Sequence, residues 1–270
     1  MADAKMPEEF YELAKPLLPP EREIGPHGGR PSVGHYIVLK VLWYVLATGC
    51  RWKDVPQEMG CCGETARMRM QLWERLGAWD RLHHLLLTML NREKKLDLEA
   101  TILDSTQIRA FGGGEETGPS PVDRRKKGTK FTLLVDRHGA PLVIRTASAN
   151  RSDQLETLPT AAEFPEVGGK PGRPRTHPEE LYADAGYDSD AVRNVLRWMG
   201  IEPHIRRRRS VHGSGLGRVR WVVERTISWL KGFRRMRFRY DRSITSIDAW
   251  TSIAAAAICL RLLTDTITIS

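Results

Sequence analysis

Cysteine is scarce in this 270-residue chain, and its four cysteines (Cys50, Cys61, Cys62 and Cys259) form no C-x-x-C unit. Structural zinc sites need ligands paired at short spacing, so the sequence gives zinc little support. The beginning of the chain also lacks the basic start and apolar run of a signal peptide. Its longest apolar stretch, residues 253–260, is too short to cross a bilayer. We therefore expect a cytoplasmic protein with free thiols and no membrane partner.

Acidic residues are scarce in one segment in particular. The chain has a formal net charge of +9 and a pI of about 9.6. Residues 204–242 contain thirteen Arg or Lys and only two acids, and five aromatic residues lie among them. Concentrated positive charge is what a polyanion binds, and phosphate contacts dominate nucleic-acid affinity. The composition thus predicts a nucleic-acid-binding protein, although a solvated charge run is the simpler alternative.

The segment RWVVERTISWLKGF within this basic stretch has the periodicity of a helix. At about 100° per residue, Arg220, Glu224 and Lys231 point within about 40° of one another. The apolar residues gather on the opposite side, which would face a core. Such a helix presents one carboxylate between two cations and suits a site that handles phosphate with a metal. The alternative is an amphipathic helix with ion pairs on a solvated face.

Hydrophobic periodicity divides the chain into two regions. Residues 7–95 predict short helices joined by Gly- and Pro-containing turns, as in a helix-turn-helix type of module. Before them, Gly29-Arg30-Pro31 could place Arg30 in a DNA minor groove, although Gly-Arg-Pro is also a common turn. From residue 99 the predicted order is β-β-β-α-β-α-β-α, which indicates an α/β mixed sheet covered by helices. We expect a helical DNA-binding region at 1–95 and a second domain at 96–270.

Two aspartates belong to predicted strands of the second region. Asp104 lies within an otherwise apolar strand, where an unpaired carboxylate would be costly to bury. Asp184 ends the strand LYAD, and strand-end aspartates often line the ligand crevice of such sheets. If the two strands are neighbours, Asp104 and Asp184 meet and Glu224 lies over them. Three carboxylates repel one another unless cations neutralise them, and oxygen ligands suit Mg²⁺ or Mn²⁺.

Two such ions, about 3.5–4 Å apart, would serve phosphodiester displacement. Asp153 and Asp188 are the nearest competing carboxylates, but their positions favour roles at helix starts. The remaining cations of the basic region are expected to contact the DNA backbone without reading sequence. Those residues are Arg220, Lys231, Arg206, Arg207, Arg208, Arg209, Arg234 and Arg235.

Several segments resemble one known family. They are LDSTQIRA around Asp104, GTKFTLLVDRHGAPL with ASANRSD after it, LYADAGYDSD around Asp184, and R-x3-E-x6-K from Arg220 to Lys231. The chain resembles the DDE transposases of bacterial insertion sequences, in particular the insertion-sequence-five family, over roughly residues 10 to 265. The family's tyrosine three residues before the arginine is replaced here by Gly217, which puts any role of that side chain in doubt.

The resemblance implies an RNase H-like catalytic core with Asp104, Asp184 and Glu224 as ligands of two Mg²⁺ or Mn²⁺ ions. It implies an enzyme that binds the terminal inverted repeats of its element, cuts DNA by hydrolysis and joins the 3′ ends to a target by transesterification. The expected partners are double-stranded DNA and at least one further copy of the chain. The alternatives are a stand-alone nuclease of the same fold and an inactive transposase that only binds DNA.

Overall fold

The structure is a computed structural model that describes residues 5–21, 31–207 and 219–264. Its first part is helical, as the periodicity of residues 7–95 predicts. The helices are α1 (Glu8–Ala14), α2 (His35–Thr48), α3 (Gly63–Arg75) and α4 (Ala78–Arg92). Only Leu76 and Gly77 separate α3 from α4, whereas residues 49–62 form a longer connection between α2 and α3.

The second part alternates strands and helices. Its strands are β1 (Ala100–Ala110), β2 (Gly118–Pro119), β3 (Lys127–Asp136), β4 (Pro141–Ser148), β5 (Glu180–Ala183), β6 (Glu202–Ile205) and β7 (Phe238–Arg239). Its helices are α5 (Asp153–Ala162), α6 (Asp190–Trp198), α7 (Arg220–Gly232) and α8 (Ile244–Leu263). The predicted order is confirmed, and the two-residue strands β2 and β7 are additions to it.

The strands form one mixed sheet. Its main path runs β4-β3-β1-β5-β6, with β3 antiparallel to both β4 and β1, and β5 parallel to β1 and β6. The short strands β2 and β7 pair with β3 and β1. A central strand with an antiparallel hairpin on one side and parallel strands on the other is the RNase H-like arrangement that the resemblance implies.

Helix α8 connects the sheet to the N-terminal helices. It packs on α3, α4 and β4, so it contacts both the N-terminal helices and the sheet. By length and composition α8 could cross a membrane, but 72% of its apolar stretch is buried within the protein. Its apolar side chains belong to one hydrophobic core that extends from α1 to α8.

Side-chain hydrogen bonds also connect the N-terminal helical part of the chain to the second part, close to α8. The indole N–H of Trp52, from the connection after α2, donates to Asp241 Oδ1 at 2.9 Å, and that of Trp250 on α8 donates to Asp241 Oδ2 at 3.1 Å. The two indole rings stack with centroids 5.5 Å apart. The guanidinium of Arg235 donates to Asp241 at 2.6 Å and to the Cys50 carbonyl at 3.0 Å. These buried polar groups therefore satisfy one another, as burial requires.

Candidate active site

Asp104 occupies the middle of the central strand. Its Oδ1 accepts a 2.8 Å hydrogen bond from the backbone N–H of Ser105. Successive side chains of a strand point to opposite faces of the sheet. Asp104 accordingly lies within 4 Å of α7, whereas Ser105 donates to Asp153, the first residue of α5. Helices α7 and α5 therefore cover opposite faces of β1.

Asp184 directly follows β5. The parallel register aligns Ile102 with Tyr182, so Asp104 and Asp184 each come two residues after an aligned pair. The Asp184 carboxylate caps the short turn that follows, accepting from the Gly186 N–H at 2.7 Å. This pairing meets the condition on which the two aspartates were expected to approach each other, namely that their strands are neighbours. Asp184 lies at the carboxyl end of its strand.

Glu224 is carried by α7, and that helix is anchored firmly. Its apolar side is buried through Val222, Val223 and Leu230, as the periodicity predicts. The hydroxyl of Thr226 donates to the Gly139 carbonyl at 2.7 Å in the β3–β4 turn. The sheet thus fixes the height and rotation of α7, which leaves Glu224 on the exposed side.

The three predicted carboxylates converge on one guanidinium. Arg220 Nη2 lies 3.9 Å from an oxygen of Asp104 and 3.9 Å from an oxygen of Asp184, and Arg220 Nε lies 3.0 Å from Glu224 Oε1. One positive charge therefore contacts three negative ones from three different elements. The group carries a net charge of −2 when all three carboxyls are ionised.

The Asp104 carboxyl ionises less readily than an ordinary aspartate. Burial, the largest cause, raises its pKa to about 6, and the charges of Asp184 and Glu224 act in the same direction. The Ser105 N–H and the Arg220 guanidinium lower the pKa, but they do not offset the burial. A buried carboxyl with a raised pKa beside two further carboxylates is a group that a nearby cation would hold in its charged form.

The donor set at this centre fits a hard divalent cation. All three side chains offer carboxylate oxygens, and they already gather around the positive charge of Arg220. Across the described ranges, no three His, Cys, Asp or Glu side chains are grouped closely enough to form a ready-made metal site. Direct ligation by all three would therefore need the carboxylates to move closer together and Arg220 to move aside.

Comparison with known proteins gives two family matches that together span most of the chain. Residues 95–260 match the family described as "Transposase DDE domain", and residues 6–83 match "Putative transposase of IS4/5 family". The chain belongs to the DDE transposases. Its activity is accordingly that of a DNA transposase, an enzyme of phosphodiester chemistry. The membership is consistent with the use of a divalent metal ion.

Two curated relatives come from one insertion element of Burkholderia cepacia. The chain is 44% identical over 147 residues to the "Putative transposase for insertion sequence element IS402", which covers 54% of this chain and 70% of that protein. It is 42% identical over 125 residues to the "Insertion element IS402 uncharacterized 16.2 kDa protein", covering 45% of this chain and 84% of that one.

The similarity of the transposase to solved structures is weak. The Mos1 mariner paired end complex with Mn has a TM-score of 0.35 at 11% identity, covering 90% of this chain and 80% of that one. The catalytic domain of Mos1 mariner transposase has a TM-score of 0.35 at 13% identity, covering 69% and 87%.

A buried network below the two aspartates was missed by the sequence reasoning. The Lys130 ammonium, almost fully buried in β3, donates to Asp153 Oδ1 at 2.6 Å and to the Arg151 carbonyl at 2.5 Å. Ser105 Oγ donates to the same Asp153 oxygen at 3.1 Å. A Cβ added at Gly186 would lie 3.5 Å from Asp153 Oδ2 and 2.9 Å from an oxygen of Asp184. The competing carboxylate therefore borders the site and is neutralised by a lysine.

The second competing carboxylate is paired with an arginine. Asp188 accepts two hydrogen bonds from the Arg193 guanidinium, at 3.0 and 2.7 Å. The residue before α6 in the N-cap position is Ser189. Asp188 thus pairs with a cation of α6, the helix that begins two residues after it.

The predicted DNA contacts have different outcomes. The prediction for Arg235 was wrong. Its side chain is 3% exposed and donates hydrogen bonds to Asp241 and to the Cys50 carbonyl, so it cannot reach DNA. Arg234 is exposed beside it, and Arg206 and Arg207 are exposed after β6, the latter 3.9 Å from Asp190. Arg30, Arg208 and Arg209, which are also predicted to contact DNA, lie outside the described residues, as does Gly217.

Lys231 lies on the same helix as Glu224 but apart from the carboxylate centre. Seven residues at 1.5 Å each place it about 10 Å further along α7. Its side chain is half-buried, and burial lowers the pKa of its ammonium. Its predicted grip on a phosphate stays a prediction.

Proposed function

We propose that this transposase cuts and joins DNA at the ends of an insertion sequence, with Asp104, Asp184 and Glu224 as its catalytic carboxylates. The observation that carries the proposal is the convergence of these three side chains, from β1, β5 and α7, on the single guanidinium of Arg220. Structural ion pairs also place carboxylates near arginines, but here three carboxylates from three separate elements surround one cation. Here the central carboxyl is buried with a raised pKa as well, and such groups concentrate at functional sites.

The three carboxylates would bind divalent ions, which we propose are two Mg²⁺ or Mn²⁺ ions. Bound there, such ions supply activation of the attacking water or 3′-hydroxyl and stabilisation of the leaving oxygen. Arg220 would turn from the carboxylates to a phosphate flanking the cut, because its charge is no longer needed between them. Lys130 and Ser105 would keep Asp153 from repelling Asp184, since they neutralise and hold its carboxylate from below.

Cutting and joining DNA ends requires DNA and further copies of the chain as partners. We propose that residues 1–95 read the terminal inverted repeats and that residues 96–270 carry the catalysis. Arg206, Arg207 and Arg234 would contact the DNA backbone, together with Arg30, Arg208 and Arg209. A reaction on two ends at once implies at least a dimer on DNA, and the expected location is the bacterial nucleoid. A nuclease without strand transfer and a DNA-binding protein without cleavage are the two alternatives.

The test is cleavage of a labelled duplex that carries the end of the element. The wild type should nick it at the repeat boundary with Mg²⁺ or Mn²⁺ and not with EDTA. Asp104→Asn and Glu224→Gln should abolish nicking and keep DNA binding, because each removes a negative charge and a metal ligand. Glu202→Gln, an exposed acid at the start of β6, makes the same change in charge and should cut normally.

The three outcomes separate the candidates. Nicking followed by joining of the 3′ end to a second duplex supports the transposase. Nicking without joining supports the nuclease, and specific binding without nicking supports the DNA-binding protein. Full cleavage by Glu224→Gln would show that the carboxylate assignment is wrong.

A further inference from the structure

Three exposed aromatic rings form a patch at the far end of the central strand. Phe111 follows β1 directly and is 56% exposed, while Phe238 of β7 and Tyr240 after it are 43% and 42% exposed. The Phe111 ring lies 5.6 Å from each of the other two centroids, stacked on Tyr240 at 18° and tilted on Phe238 at 46°. We call these three residues the aromatic platform.

The platform is held in place from the protein side. Strand β7 pairs with the end of β1, and the Phe111 N–H donates to the Arg239 carbonyl at 3.1 Å. The buried guanidinium of Arg235 lies 5.6 Å from the Tyr240 ring centroid, and it is itself fixed by Asp241. The Phe111 backbone and one side of the Tyr240 ring are therefore in contact with ordered groups of the protein.

Positive charge surrounds the platform. The basic run Arg124–Lys127 is exposed, and Lys127 Nζ would lie 3.5 Å from a Cβ added at Gly113, two residues after Phe111. Arg109 lies 5.7 Å from the Phe111 centroid and pairs with Asp123, and Arg242 is exposed where its side chain passes Gly112. Exposed apolar patches of this kind mark interaction sites, and a cationic rim selects an anionic partner.

We propose that the aromatic platform binds an unpaired stretch of DNA by stacking its bases, while the surrounding cations hold the phosphates. Aromatic faces set in a basic groove are the common means of binding single strands, because every base offers a π-face. The exposed cations beside the rings favour a polyanion as the occupant, because phosphate contacts dominate nucleic-acid affinity. The inference rests on the proposed action on DNA.

The platform lies at a distance from the carboxylate centre. Phe111 comes seven residues after Asp104, which is about 23 Å along the chain at the 3.3 Å rise of a strand. The platform is therefore a separate surface from the one that holds the three carboxylates.

The experiment compares two fluorescein-labelled probes with the full chain in EDTA. One is a blunt 20-base-pair duplex, and the other is the same duplex with a ten-nucleotide oligothymidylate tail that contains one 2-aminopurine. The wild type should bind the tailed probe more tightly than the blunt one and change the 2-aminopurine fluorescence. Stacking of one base corresponds to roughly 5- to 150-fold in affinity.

The double variant Phe111→Ala, Tyr240→Ala should lose that preference and keep its affinity for the blunt duplex. Trp198→Ala is the matched control, because Trp198 is an 86% exposed aromatic on α6 and should leave both affinities unchanged. If the double variant fails to fold, Phe111→Leu with Tyr240→Leu keeps the apolar volume and removes the π-faces. Tyr240→Phe keeps the ring and should keep the preference.

Each possible result of this experiment either supports or overturns the proposal for the aromatic platform. A double variant that still prefers the tailed probe overturns the proposal. A folded double variant that loses affinity for the blunt and the tailed probe equally overturns it as well. Wild-type self-association that disappears in the variant, with no tail preference, would assign the patch to a contact between copies and also overturn it. A wild type that binds neither probe contradicts the proposed action on DNA itself, which separates the two failures.

Discussion

Asp104→Asn should stabilise the metal-free protein at neutral pH. The Asp104 carboxyl has a pKa of about 6, against an ordinary value of 3.8, and its side chain is only 14% exposed. Each tenfold change in an ionisation constant is about 1.4 kcal/mol, so this difference corresponds to about 3 kcal/mol. A group with a raised pKa in the folded state stabilises folding most below pH 3.8, and that stability is lost as the pH rises to about 6.

The substitution removes this penalty because an amide does not ionise. The oxygen of the new amide could still accept from the Ser105 N–H, whereas Arg220 loses one distant carboxylate. We therefore expect a net gain of about 1–3 kcal/mol in the free energy of unfolding at pH 7.5, or about 2–12 °C in Tm for a chain of this size. At pH 5 the wild-type carboxyl is mostly protonated in the folded protein, so about half of this gain in unfolding free energy should remain.

The assay is urea and thermal unfolding of both proteins in EDTA at pH 5 and pH 7.5. Glu202→Gln is the control and should stay within about 0.5 kcal/mol of the wild type, as exposed substitutions do. Mg²⁺ or Mn²⁺ should stabilise the wild type and much less the variant, because the cation binds the ionised centre. An equal gain at both pH values, or none at pH 7.5, would refute the reasoning.

Two substitutions outside the carboxylate centre test other parts of the structure. Lys130→Met should cost about 1–3 kcal/mol in unfolding free energy, because Asp153 then loses the ammonium that neutralises it; urea titration measures this, and Asp153→Asn in the same background should recover part of it. Gly63→Ala should cost about 1–3 kcal/mol by overpacking, since the new Cβ would lie 1.9 Å from the Trp52 carbonyl oxygen; an unchanged Tm would contradict that close approach.

The carboxylate centre could be predicted from the sequence because each of its parts has a local signal. Asp104 interrupts an apolar strand, Asp184 ends one, and Glu224 lies on the polar side of a helix with clear periodicity. Their meeting required one non-local assumption, that β1 and β5 are neighbours. The parallel pairing of residues 100–102 with 180–182 makes that assumption correct.

The prediction for Arg235 was wrong because burial of a charge is not a local property. Arg234 and Arg235 are adjacent arginines in a basic run, yet one is exposed and the other buried. What buries Arg235 is the pairing with Asp241 under two tryptophans, Trp52 and Trp250, that lie almost 200 residues apart in the chain. Sequence periodicity cannot show such a partner set.

Lys130 is a residue whose buried ion pair the sequence indicates, although it was not predicted. It stands in KFTLLVD, a strand that is otherwise apolar except for Thr132 and the terminal aspartate. A lysine in such a strand must find a counter-ion or lose its charge. The only further information needed was that Asp153, 23 residues later, returns to the same face of the sheet.

Helix α7 links the proposed DNA-reading region to the chemistry. Glu224 lies near its start, and the Thr226 hydroxyl fixes that part to the β3–β4 turn. Just beyond its last turn, the Phe233 ring contacts the Trp43 ring of α2, with centroids 6.2 Å apart. Helix α7 therefore packs against the sheet along its length and against α2 just beyond its last turn. Because packed interiors are dense and resist compression, these two sets of contacts together hold the helix that carries Glu224.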